Sequence, residues 1–389
     1  MDFRIANHND RHEVERLWAY CFEPTDHPFF QWYFANWQPD NTLCGFEQGR
    51  MNTCVHLNPY TLELRGKQLP VPYIVGLATA PEARRGGVAG KLLTAALAEM
   101  RRRKCYFNIL MPSKAGFYYP YGWELCYHQL KYYIVLDDLR GLTGSEGTFV
   151  MVTDKNDWRR LAAVYDMFTA SRHGYAIRGQ EEWERLLASH QAENGYIALL
   201  IQAGQPAGYL LYTIRDGVFT VGDLAYTTWQ AQRSLLNFAY NHRSQATHAV
   251  WNSPFDDTLH FALPNPKQGV SLQPFMAGRI VDVAGALSAI AYPTELQVRL
   301  TINVTDGLAD WNNGSFALTV NGGKADVSAN ASGSPDATCT IGALSLLVFG
   351  RLSAAELQQS GRLTASSADG LELLDKCFPK CANYINEYF

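Results

Sequence analysis

Two arginines followed by two glycines, Arg84-Arg85-Gly86-Gly87, lie between an apolar run ending at Thr79 and a patterned segment beginning near Gly87. Apolar residues recur there at Ala89, Leu92, Leu93, Ala96, Leu97 and Met100, the stripe of an amphipathic helix. Glycine lets a backbone approach an anion closely, and the unpaired N–H groups at a helix start face it. Arginine adds charge-assisted hydrogen bonds to phosphate oxygens. This combination suits a pyrophosphate. It lacks both the Gly-Lys-Ser/Thr of a nucleotide P-loop and the Gly-x-Gly-x-x-Gly of a dinucleotide site. The competing reading is a surface turn with solvated arginines, and the strand–loop–helix setting argues against it.

These residues need elements to hold them. A strand and a helix are expected first, with Val14, Leu17, Trp18, Cys21 and Phe22 at helical spacing. An aromatic-rich segment from Phe22 to Trp37 then either packs in a core or lines an apolar pocket. Strands are expected near 53–57, 60–65 and 70–79, then the helix after Gly87, the buried strand 105–111, and further strands at 124–127 and 130–136. Helices at 158–168 and 181–189 precede three strands within 196–225, a helix at 230–242 and a strand at 247–251. Three strands, a helix and a strand thus occur twice, as in a duplicated fold. Asp223 to Gln230, the second copy's equivalent of the loop, has neither glycine nor arginine and cannot cradle a pyrophosphate. The last part of the chain alternates apolar and polar residues over 294–304 and 314–320, and Asn321-Gly322-Gly323 signals a hairpin. Helices are expected at 341–349, 353–359 and 370–378.

Composition narrows the class. The chain has 389 residues, more than one core usually supports, and its 47% hydrophobic and 18% charged residues are those of a globular protein. A net charge of −4 gives no reason to expect nucleic acid. Arg101 to Lys104 closes a helix, where cations suit the dipole. With no apolar leader, no stretch of membrane-spanning length and eight scattered cysteines, a reduced cytoplasmic setting without membrane partners is expected. Cys377 and Cys381 lack the partners of a zinc site, so no metal is expected.

Thr79-Ala80-Pro81-Glu82-Ala83-Arg84-Arg85-Gly86-Gly87-Val88-Ala89 resembles motif A of the GNAT acetyltransferases. The resemblance implies acetyl-CoA as co-substrate. It assigns Leu77, Ala78 and Thr79 to pantetheine contacts and Arg84, Arg85, Gly86, Gly87, Val88, Ala89 and Gly90 to the pyrophosphate region. Further on, Ser113-Lys114-Ala115-Gly116-Phe117-Tyr118-Tyr119-Pro120-Tyr121-Gly122-Trp123 is similar to a pattern of the Eis-type (enhanced intracellular survival) branch. Matching it places the catalytic acid at Tyr118, with Ser113 and Lys114 beside the cofactor. Tyr119 and Tyr121 compete for that role, and packing alone is the alternative for all three. The same branch uses its C-terminal carboxylate as general base, which here is Phe389, the end of an aromatic tail.

The resemblance implies a mixed α/β, α+β chain: a catalytic GNAT domain at 1–145, a degenerate GNAT-like domain without a cofactor loop at 146–285, and a sterol-carrier-protein-like domain at 286–389 that supplies the carboxylate. Gly278-Arg279-Ile280-Val281-Asp282-Val283 looks like the branch's connecting segment. The implied activity is acetylation of an amine on a small molecule or peptide (aminoglycoside-, polyamine- or lysine-like) by direct attack on the thioester, in a homo-oligomer, by resemblance a hexamer. Phe22 to Trp37 with Glu23, Asp26 and Glu387 is a candidate polycation pocket. A lipid or acyl-CoA carrier and an acyl-CoA sensor without turnover are the alternatives.

Overall fold

The computed structural model describes every residue except Thr143 and Phe389. Its chain separates into two units, one formed by Met1–Tyr127 and Phe275–Cys381, the other by His128–Pro274 and Ala382–Tyr388.

The first unit holds a seven-stranded sheet in the order Asp2–Ile5, Thr42–Glu47, Arg50–Asn58, Tyr73–Thr79, Phe107–Leu110, Ala277–Ile280, Glu124–Leu125. All neighbours are antiparallel except Tyr73–Thr79 against Phe107–Leu110. A parallel pair needs a crossover, and the helix Val88–Arg102 supplies it. The helix buries Leu92, Leu93, Ala96, Leu97 and Met100 in a cluster with Leu43, Val55, Leu57 and Ile74. Each large side chain so buried contributes about 1.5–3 kcal/mol. The expected stripe is therefore correct except at Ala89, which is half-buried at the helix start. Arg101 and Arg102 occupy the last turn, and Glu99 pairs with Arg102 and Arg103 at 2.7 and 2.6 Å. The basic cluster thus serves the helix end.

The same unit carries a five-stranded sheet in the order Lys324–Ala329, Gly314–Asn321, Val298–Thr305, Ala337–Thr340, Leu363–Ala365. Its expected hairpin is present. Asn321 pairs with Lys324 across Gly322 and Gly323, whose φ of +56° and +79° suit a two-residue turn that needs left-handed backbone twice. Helix Ile341–Val348 is buried all round. The carbonyls of Leu347 and Val348 at its end accept hydrogen bonds from the buried Arg65 guanidinium, a cation at the negative pole of the helix. A buried ion pair, Arg279–Asp306 at 2.7 Å, ties Ala277–Ile280 to the turn after Val298–Thr305.

The second unit repeats the first sheet: Thr148–Met151, Tyr196–Gln202, Gln205–Arg215, Val218–Tyr226, His248–Pro254, His128–Val135, Val270–Pro274. Its parallel pair is Val218–Tyr226 with His248–Pro254. Helix Trp229–Tyr240 joins them, capped by Thr228, whose hydroxyl accepts from the Ala231 N–H. The duplication read from the sequence is there, with an exchange that reading missed. The strand expected at 130–136 within the first repeat is His128–Val135 and pairs in the second sheet, while the start of the connecting segment expected at 278–283 lies in the strand Ala277–Ile280 of the first. Among the described residues no helix is long and apolar enough to cross a membrane, and no cluster of His, Cys, Asp and Glu is placed to hold a metal.

Candidate active site

The parallel strands of the first sheet touch only at their start. Tyr73 pairs with Ile109 and Ile74 with Leu110, after which the strands diverge. Beyond that point Ala78 and Thr79 keep partners on the other side alone, where Cys54 faces Ala78 and Thr53 faces Thr79. Two features build the divergence. The register slips between Cys54 and His56, and Gly76 opposite takes a φ of +58°. A Cβ on Gly76 would sit 2.4 Å from the Trp18 ring, so glycine is required twice over, by backbone and by space. Side chains alternate along the strand. Ala78 is therefore buried, while Leu77 and Thr79 line a cleft of about 470 Å³.

The cleft's other wall is the loop singled out in the sequence: Ala83, Arg84, Arg85, Gly87, Val88 and Ala89. Gly87 caps the helix with a φ of +71° and offers no side chain to its first turn, which contains no acidic residue. The first N–H groups are left for an acceptor from outside. The two arginines differ. Arg84 is turned back on the protein, its Nε donating to the Thr79 carbonyl at 3.1 Å and its Nη2 3.4 Å from Cys21 Sγ. Arg85 is exposed, has a φ of +68°, and makes no hydrogen bond or ion pair with the described residues. Left-handed backbone in an arginine costs about 1–2 kcal/mol. An uncommitted cation beside uncapped N–H groups fits a pyrophosphate. Gly86 is exposed in the same turn, and Gly90 packs under the Tyr121 ring, where a Cβ would meet it at 3.3 Å.

After Phe107–Leu110 the chain forms the short helix Ala115–Tyr118 and a single turn, Tyr119–Tyr121, ended by Gly122 at φ +83°. Phe117 and Tyr121 reach the cleft. Tyr118 is half-buried and does not itself line the cleft; its ring centroid lies 4.9 Å from that of Phe117, which does, and 6.3 Å from that of Trp123, and its hydroxyl has no partner among the described residues. Burial raises its pKa, which keeps the phenol protonated, the form an acid needs. Tyr119, Ser113 and Lys114 are exposed and do not line the cleft.

The aromatic segment divides between the two roles left open by the sequence. It forms a helix, Pro28–Ala35, that the sequence reading did not anticipate. Phe30, Tyr33 and Phe34 are buried, with Tyr33 stacked on Trp18 at 4.6 Å. Phe22, by contrast, is exposed and lines the cleft next to Cys21. Helical spacing located both residues without telling that the end of their helix borders the cleft. Glu23 accepts a hydrogen bond from Trp18 Nε1 at 2.8 Å. Glu387 is not available to such a pocket, because it is paired with Arg178 in the second unit at 2.8 Å. Phe389, the expected base, lies outside the described residues.

Residues 2–126 match the family described as acetyltransferase (GNAT) domain, residues 174–280 match a second family of the same description, and residues 283–386 match the sterol carrier protein domain. An uncharacterized N-acetyltransferase of Streptomyces griseus is 24% identical over 374 residues, covering 89% of this chain and 88% of its own. The fold is shared with a conserved Enterococcus faecalis V583 protein of unknown function, a probable N-acyltransferase (TM-score 0.89, 22% identity, 100% and 99% of the two chains). It is shared too with Eis1 of Mycobacterium abscessus (TM-score 0.79, 19% identity, all of both chains). The divergent strands and glycine-capped helix thus lie in the first of two acetyltransferase (GNAT) domains, which a sterol carrier protein domain follows.

Proposed function

We propose that the protein is an acetyl-CoA-dependent N-acetyltransferase acting on amines, with catalysis in 1–145. The observation that carries this reading is the cleft between the free edge of Leu77–Thr79 and the Gly87-capped helix, with Arg85 uncommitted beside it. Acetyl-CoA enters as co-substrate, its pantetheine amides along the strand edge and its pyrophosphate at the helix start. The acceptor nitrogen forms a bond to the acetyl carbon, and the bond from that carbon to sulfur breaks. The departing thiolate takes a proton from Tyr118. The nitrogen gives its extra proton to the Phe389 carboxylate, directly or through water. An ordinary α-carboxyl is a weak base for an ammonium, so this role requires an environment that raises its pKa. The same reading expects a homo-oligomer, by likeness to the Eis-type proteins a hexamer.

CoA release across a panel of polyamines, aminoglycosides and lysine peptides tests the activity. Tight acetyl-CoA binding with no turnover on any amine would favour the sensor instead. Deleting Phe389, or extending the chain beyond it, should abolish turnover and leave acetyl-CoA affinity nearly intact. Tyr118→Phe should lower kcat by about 100-fold with little change in cofactor binding. Tyr121 offers a specific second reading because its ring lines the cleft. A wild-type rate for Tyr118→Phe with a slow Tyr121→Phe would move the acid there.

A further inference from the structure

The second repeat keeps the divergence of its central strands but not the loop. Val218–Tyr226 pairs with His248–Pro254 only from Val218 to Thr220. The segment Ala382–Tyr388 bonds to both strands beyond that point. Asn386 Nδ2 donates to the Gly222 carbonyl at 2.9 Å and to Asp223 Oδ1 at 2.9 Å, while Asn252 Nδ2 donates to the Tyr388 hydroxyl at 2.9 Å. From the neighbouring strand, Gln129 Nε2 donates to the Ile385 carbonyl and to Asn386 Oδ1. At its start, the segment exchanges backbone hydrogen bonds with His173, whose ring also meets Asn383 Oδ1 at 2.7 Å. Tyr384 packs edge-on to Phe168 within a buried cluster.

Beneath this segment lies a charge cluster. Arg178, with its side chain 2% exposed, donates to Asp223 at 2.6 Å and to Glu387 at 2.8 Å. Tyr209 donates to the same Asp223 oxygen. Burial pulls the guanidinium pKa down, but the neighbouring Asp223 and Glu387 outweigh it and raise it above its ordinary value. A buried cation between two carboxylates tolerates little displacement, since moving one partner strands the others. The second domain therefore grips the chain at Glu387, two residues before its end.

We propose that the second repeat is a clamp for the C-terminal segment, in which Arg178 is a positioning residue that fixes where the Phe389 carboxylate can reach. The proposal rests on the reading of that carboxylate as base. A Gly/Arg loop in the second repeat would have bound a cofactor where the chain now binds its own tail. The clamp gives that repeat a task in the reaction without chemistry of its own.

Hydrogen exchange of the 383–388 amides and steady-state kinetics on the full-length protein test this with Arg178→Ala, Arg178→Lys and Glu387→Gln. Arg178→Ala should speed exchange of those amides by about tenfold or more. It should lower kcat by about 100-fold, the cost of a misplaced catalytic group, with KM for acetyl-CoA within about twofold of wild type. Arg178→Lys should recover part of both. If Arg178→Ala does not fold, Glu387→Gln carries the test, because it alters only the tail's side of the pair. A freed segment with an unchanged kcat would overturn the positioning role, and a segment still protected in every variant would overturn the clamp. Deleting Phe389 separates the two layers. Full activity without it defeats the carboxylate-base reading and, with it, the positioning role, while exchange still decides the clamp.

Discussion

Replacing Arg85 by glycine should make the protein more stable and its cofactor binding weaker, two effects that a surface turn would not combine. Arg85 holds a φ of +68° with no partner among the described residues. Glycine removes about 1–2 kcal/mol of left-handed strain and returns about 0.5–1 kcal/mol through the freer unfolded chain. The balance is a gain of about 0–1.5 kcal/mol, or at most a few degrees in the melting temperature of the first unit. A hydrogen bond to a charged phosphate oxygen is worth about 1.5–3 kcal/mol, and the exposure of Arg85 argues for the lower end. Acetyl-CoA should therefore bind about tenfold more weakly, with less dependence on salt. Arg85→Ala keeps the strain and loses the cation, so its affinity should fall equally while its melting temperature stays near wild type. Isothermal titration with CoA at two salt concentrations and a thermal scan give both readouts. If both variants bind CoA within about twofold of wild type, Arg85 is a solvated surface residue and the pyrophosphate assignment fails.

The strand divergence and the core beneath it make further predictions. Gly76→Ala must place a methyl 2.4 Å from the Trp18 ring at a φ of +58°; denaturant unfolding should show a loss of about 2–5 kcal/mol, and a loss within 0.5 would contradict the packing described. His56 is buried with Nδ1 3.2 Å from the Thr42 hydroxyl and no partner for Nε2 among the described residues, and burial lowers its pKa to about 3. The unfolded chain takes up this proton near pH 6.5 and the folded one does not, so stability should be full above that pH and fall by about 2 kcal/mol between pH 6.5 and 5. His56→Gln should flatten that slope in urea titrations, and an unchanged slope would assign it to other groups.

What could be read in advance follows the range of the interactions involved. The helix after Gly87 announces itself through five core residues at helical spacing, and the Gly322-Gly323 turn through its need for positive φ, both local properties. The exchange of His128–Val135 and Ala277–Ile280 between the two sheets leaves no local trace, because an apolar strand reads alike whichever sheet takes it up. The site shows the same division. The loop was legible as a motif, whereas the unequal work of its two arginines depends on Thr79 and Cys21, brought from other elements. Glu387 was misread for a related reason. A carboxylate near an aromatic tail suggests a ligand pocket until the fold brings Arg178 to it from more than two hundred residues upstream.

The two copies of the GNAT sheet meet one physical problem in different ways. Diverging parallel strands leave backbone N–H and carbonyl groups without ladder partners, and buried groups of that kind are costly unless something satisfies them. In the first copy the Thr79 carbonyl is taken by Arg84, and the edge beside it opens on a cleft bordered by the glycine-capped helix. In the second copy the Gly222 carbonyl is taken by Asn386, and Thr228 caps its own helix from within. Losing the Gly/Arg loop removes the means to hold an anion but not the open edge, so a copy without the loop needs an internal occupant. The segment Ala382–Tyr388 is such an occupant, and its bonds to Gly222, Asp223 and Asn252 hold it in turn. The missing Gly/Arg stretch between Asp223 and Gln230 and the anchoring of Ala382–Tyr388 are then two aspects of one arrangement. A substitution that restored an anion-binding loop there would have to displace the tail to be occupied.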